Sequence, residues 1–136
     1  MSRIVGVVND RLWPLLPLKI SGVAANYWVM VDTGFEGHLM VSDAERPRLR
    51  VARTSLMAAG TNADGTSSLV PVGRVILDWF GTTLTMHAHV PNLTMVDGES
   101  YRGDPIVGIL GLFMMQGQRL TIDFYPGREV VLEAVP

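Results

Sequence analysis

The chain has 136 residues, 48% of them hydrophobic, and carries 13 acidic against 11 basic side chains for a net charge of −2. That balance offers no electrostatic case for nucleic acid or an anionic membrane, so neither is expected as a partner. Cysteine is absent, which excludes a disulfide framework and a thiolate zinc site.

From the N-terminus, residues 4–8 read as a short strand. Asn9-Asp10-Arg11 ends this apolar run too early for a signal peptide, and no run of about 18 apolar residues follows. A soluble cytoplasmic protein of one domain, residues 1–136, is expected, and an apolar content high for this size points to a buried subunit interface. Residues 15–20 form a second strand, with Pro14 and Pro17 arguing for an edge or a bend. Ser21-Gly22 turns the chain into residues 27–31, a continuous run of strand formers that stops at Asp32-Thr33-Gly34 before residues 38–41 resume in the same character. A carboxylate is thereby carried from a buried strand into a tight turn, where Gly34 and Gly37 supply backbone freedom. Ser42-Asp43-Ala44-Glu45 has the capping-box pattern, but Pro47 limits any helix to one or two turns.

Residues 56–59 and 69–72 flank the polar stretch 60–68, which is centred on the hairpin dipeptide Asp64-Gly65. Small polar residues and few apolar anchors predict a mobile tip over residues 62–67. Residues 74–80 and 82–90 make a hairpin across Gly81, with apolar side chains at alternate positions. Residues 92–105 read as a loop, 112–115 as a short helix near the C-terminus, and 119–125 with 129–134 as a terminal hairpin across Pro126-Gly127. No strand alternates with a long helix, so the fold class is mainly β, with sheets closed around one core.

Asp32-Thr33-Gly34-Phe35 behind its apolar strand, followed far downstream by Ile109-Leu110-Gly111, resembles the two active-site segments of the retropepsin-like (retroviral-type) aspartic proteases. Within them it is most similar to small bacterial-type, single-domain members with a DTGF loop. The resemblance implies a closed β-barrel of hairpins with a flap, and a catalytic set of Asp32, Thr33 and Gly34. It also implies substrate contacts from Phe35 and Ile109 and, in the flap, from Ala63, Asp64 and Gly65, with no metal and no cofactor. Thr33 would donate its hydroxyl to the opposing loop across a two-fold axis. Two positions depart from the retroviral pattern: Phe35 stands where Ala or Ser is usual, and Leu112 where an arginine supports the dimer. A dimer of this chain must therefore be held by other contacts, and apolar ones are expected.

One such carboxylate per chain is not enough for the chemistry, which needs one carboxylate to take a proton from water and a protonated partner to bond the carbonyl oxygen. The reading is thus an aspartic endopeptidase acting on a peptide or protein substrate, with two copies of Asp32 meeting in a homodimer and residues 129–134 as a candidate interface strand. The alternative is a dimeric peptide-binding or scaffolding module that keeps the fold without turnover. A turn aspartate bonded to its own backbone is the structural counterpart for Asp32. His87 and His89 lie two apart on one strand but lack further ligands, so they read as exposed strand residues rather than a metal site. Arg46, Arg48, Arg50 and Arg53 read as a solvated surface segment.

Overall fold

A computed structural model describes residues 2–61 and 64–135, and among them the chain forms eleven strands and one short 3-10 helix. The strands are β1 (Arg3–Val8), β2 (Pro14–Ile20), β3 (Tyr27–Val31), β4 (Leu39–Val41), β5 (Ala52–Thr61) and β6 (Ser67–Trp79). They continue with β7 (Thr82–His89), β8 (Ser100–Tyr101), β9 (Asp104–Leu110), β10 (Gln118–Asp123) and β11 (Glu129–Ala134). The mainly β expectation holds, and the sheet closes on itself. Neighbour follows neighbour in the order β2, β3, β9, β4, β7, β6, and β6 then pairs back to β2 at Lys19↔Asp78 and Ile20↔Leu77. Closure gives each of these six strands a neighbour on both sides, although β4 reaches β7 only at Ala88 and His89.

Side-chain alternation assigns each strand two faces. On β3, Tyr27, Val29 and Val31 enter the main core, where Val107 and Leu110 of β9 also lie. The intervening Met30, with Ile106 and Ile109 of β9, Leu15 and Val96, builds a second apolar cluster capped by Trp28 and Phe35. Burying a Val, Leu or Ile side chain contributes about 1.5–3 kcal/mol, so a sheet buried on both faces holds the β3–β9 pair firmly. The strand that ends at Asp32 is therefore anchored from two sides.

Several expectations change. β2 is no edge strand: it pairs with β3 on one side, and on the other with β1 at Val7↔Leu15 and Val8↔Pro14, then with β6 from Lys19 onward. Pro17, which cannot donate, falls in the gap where β2 passes from one partner to the other. The two segments expected around Gly73 are one strand, β6, because Gly73 lets Val51 and the carbonyl of Ala52 (3.0 Å from an added Cβ) approach. The loop expected at 92–105 contains the β8–β9 hairpin, turned by Arg102 and Gly103, both at positive φ. The short helix near the C-terminus is a single 3-10 turn, Leu112–Met115, not an α-helix. Ser42 caps nothing; its hydroxyl is buried without a partner, and the segment after it forms turns. β11 lies between β1 and β10 with both edges paired inside the chain, so it cannot add to a second subunit edge to edge. No helix among the described residues is long and apolar enough to cross a membrane.

Candidate active site

Asp32 follows directly on β3, and its N–H donates to the Leu110 carbonyl at 2.9 Å, continuing the parallel β3–β9 ladder by one bond. The loop that follows accepts three backbone hydrogen bonds from the segment after β9. Gly111 N–H donates to His38 O (2.9 Å), Leu112 N–H to Phe35 O (2.8 Å) and Phe113 N–H to Gly37 O (3.0 Å). The two segments that sequence reasoning paired are thus in direct backbone contact. Inside the loop, Phe35 N–H donates to Asp32 O at 3.2 Å and Gly34 N–H to Asp32 Oδ1 at 2.9 Å. One carboxylate oxygen is fixed in this way. Asp32 is half-buried and Thr33 exposed, and among the described residues neither Asp32 Oδ2 nor Thr33 Oγ1 makes a hydrogen bond.

The glycines act through space rather than backbone freedom. Neither Gly34 nor Gly37 has a positive φ. A Cβ on Gly37 would stand 2.5 Å from Phe35 Cζ, and one on Gly111 would run into the Gly37 carbonyl and stand 2.6 Å from Phe35 Cδ2. Close approach of the two segments needs Gly111 bare, whereas a bare Gly37 makes room for the Phe35 ring of its own loop and for His89. Gly34 fills the role expected of it, bringing its N–H onto the carboxylate.

Phe35 and Ile109, expected as substrate contacts, both belong to the second apolar cluster, with Ile109 only 6% exposed. The ring of Phe35 meets His89 edge to face at 5.3 Å between centroids. His89 is therefore not the exposed strand residue expected; β4 pairs with β7 at Met40↔His89 and covers it. Alternation alone places His87 and His89 on one face and carries no signal for that covering strand. Across the loop, His38 meets Phe113 edge to face at 5.9 Å.

Burial, and then the neighbouring His38, hold the His89 imidazole below the usual histidine value, against a backbone hydrogen bond at Leu39 that raises it. The folded protein thus binds this proton less readily than the unfolded chain, which titrates near 6.5. Above that value both states are neutral and nothing is lost; as pH falls through it toward the lower folded value, stability declines. Between about pH 8 and about pH 5 the wild type should lose more melting temperature than His89→Gln. Parallel losses in the two proteins would remove His89 from the account.

Beyond the reach of β7, residues 58–61 and 67–70 pair with each other and leave the barrel as a two-stranded ribbon. Its base bends at a bulge between Arg53 and Met57, where Thr54 Oγ1 donates to Val72 O (2.6 Å) and accepts from Leu56 N–H (3.0 Å). Asp64 and Gly65 stand exposed at its tip. The Thr66 hydroxyl (2.6 Å) and N–H (3.0 Å) both donate to Asp64 Oδ1 and hold that carboxyl below its usual value. Ala63, the third expected flap contact, lies with Asn62 outside the described residues.

No family model and no curated protein matches the chain. Among solved structures it is similar to EIAV protease complexed with the inhibitor HBY-793, at 19% identity and a TM-score of 0.51, over 79% of this chain and 89% of that one. The fold is retropepsin-like. At this identity the likeness carries the barrel architecture and no more. It places the Asp32 loop and its glycine-bearing counterpart after β9 in a fold that the EIAV protease shares.

Proposed function

We propose that the chain is an aspartic endopeptidase of the small bacterial-type, DTGF-bearing kind, in which two Asp32 carboxylates, paired across a homodimer, activate water for peptide-bond hydrolysis. The observation that carries this reading is how Asp32 is held. It sits at the end of a strand buried on both faces, with Oδ1 fixed by Gly34 and Oδ2 without a partner among the described residues. Thr33 Oγ1 beside it is equally free to bond a second loop. Leu112 and Phe113, 42% and 41% exposed, are tied by their backbones to the same loop and supply apolar surface where an arginine would otherwise support the dimer. Since β11 has no free edge, the interface falls on this loop and 3-10 turn.

In the pair, two carboxylates about 3 Å apart would repel by roughly 5 kcal/mol at an effective dielectric near 20, so they share one proton. The ionised member takes a proton from water as its oxygen attacks the carbonyl carbon, while the protonated member bonds the carbonyl oxygen. The proton just gained then goes to the departing amide nitrogen. The substrate lies extended along the ribbon, adding main-chain hydrogen bonds as a strand would. Exposed Leu56, Met57 and Leu69 give the ribbon apolar contacts.

Sedimentation at tens of micromolar, beside peptide-library cleavage from mildly acidic to neutral pH with Asp32→Asn as control, tests the reading. A monomer that stays monomeric with a peptide inhibitor overturns it. A dimer that binds peptide without cutting it supports instead a non-catalytic module. Amide exchange across residues 57–60 and 67–71 should slow when a peptide inhibitor is added; equal rates with and without it would show that the ribbon does not close on substrate.

A further inference from the structure

A cavity of about 550 Å³ lies away from Asp32. It opens at the far end of β3, where Tyr27 and Trp28 begin the strand, roughly 15 Å along the backbone from the carboxylate. Trp79 and Phe80, stacked edge to face at 5.7 Å, form another part of its wall. Phe80 holds a positive φ of 51°, unusual for so large a side chain, in the turn it shares with Gly81. Four aromatic residues therefore border one space whose size suits a small molecule.

The charges around it are unbalanced. Asp78 and Asp104 both line the cavity, with Lys19 as the one cation. Lys19 and Asp78 are direct partners in the β2–β6 register, yet they form no ion pair. The Lys19 ammonium donates to Val23 O at 2.8 Å, and Asp78 Oδ1 accepts only from the Thr83 hydroxyl at 3.2 Å. Asp104 has no hydrogen-bond or ionic partner among the described residues. Carboxylates beside the faces and edges of aromatic rings attract an organic cation by charge and by the ring quadrupole together. Trp79 adds a further sign: it is 4% exposed and its indole N–H finds no acceptor among the described residues. A buried donor left open calls for an acceptor from elsewhere.

We propose that this cavity binds a small organic ammonium with an aromatic or apolar body and a hydrogen-bonding oxygen, the cation facing Asp78 and Asp104 and the body lying among Tyr27, Trp28, Trp79 and Phe80. The site is separate from Asp32 and does not depend on peptidase activity.

Calorimetric titration of the full chain with tyramine, and with hydroxyphenylpropionate, in which a carboxylate replaces the ammonium, tests this. Tyramine should bind saturably, one per chain, at least about tenfold more tightly than the anion, and should move the Trp79 indole N–H resonance. Asp78→Asn with Asp104→Asn, two partly exposed positions, should weaken tyramine about tenfold and leave the melting temperature close to wild type. If the double variant does not fold, each single variant is titrated and should show a smaller loss of the same sign. No saturable binding up to millimolar tyramine, equal binding of the two probes, an unmoved Trp79 resonance or undiminished binding by the variants would each overturn the proposal.

Discussion

Asp32→Asn should cut peptide more slowly than wild type by roughly 10⁴-fold while still binding it, because the amide can neither take a proton from water nor share one with its counterpart. The same substitution should leave the protein melting at an equal or higher temperature near neutral pH. In the proposed dimer the wild type holds two carboxylates against each other at a cost of roughly 5 kcal/mol before a proton is shared, and the amide removes that repulsion with almost no change in shape. The turn survives as well, since the Asn oxygen can accept from the Gly34 N–H as Asp32 Oδ1 does at 2.9 Å. If Asp32 were only a turn residue, the variant would lose a charge-assisted hydrogen bond and melt lower. Thermal melts at one protomer concentration, set beside the cleavage assay, separate the cases. An Asp32→Asn protein clearly less stable at neutral pH would sink the paired-carboxylate assignment, whatever its activity.

Gly111→Ala should cost about 3 kcal/mol, at the upper end of what one added methyl does, and lower the melting temperature by about 10 °C. Gly111 has an extended backbone, φ −96° and ψ 174°, so conformational strain is not the cause. The obstacle is the Gly37 carbonyl, a backbone atom that cannot rotate away, with the Phe35 ring behind it. Relief would require the two segments to separate, breaking the hydrogen bonds from Gly111, Leu112 and Phe113 that place the Asp32 loop. Gly117→Ala is the natural comparison: it adds the same methyl with nothing within 4 Å, but at a positive φ of 75°, so it reports the backbone penalty alone. Urea unfolding of both variants measures the difference. A Gly111 variant no less stable than the Gly117 one would mean that the loop and its counterpart are not clamped together.

The carboxylate, its glycine-bearing turn and the flanking strands were legible in sequence because all of them are local: a run of strand formers, a turn tripeptide and a second apolar strand. Phe35 and Ile109 were likewise found from short motifs, and the structure packs them in one cluster. The hairpin of β5 and β6 was marked by Asp64-Gly65, whose left-handed glycine needs no tertiary help. Other features left no such trace. His89 looks like any exposed strand residue until β4 covers it.

The sequence by itself determined most of the strand segments, the turn at Asp64-Gly65, that the class is mainly β, and that a carboxylate stands at the end of an apolar strand. Only the tertiary structure decided which strands meet. It set β9 between β3 and β4, gave β2 a change of partner at Pro17, and enclosed β11 between β1 and β10, so that neither edge of β11 is open. The reason is physical. Alternation records which face of a strand is apolar, but backbone hydrogen bonds are alike for nearly every residue, so the choice of neighbour rests on packing between segments remote in the chain.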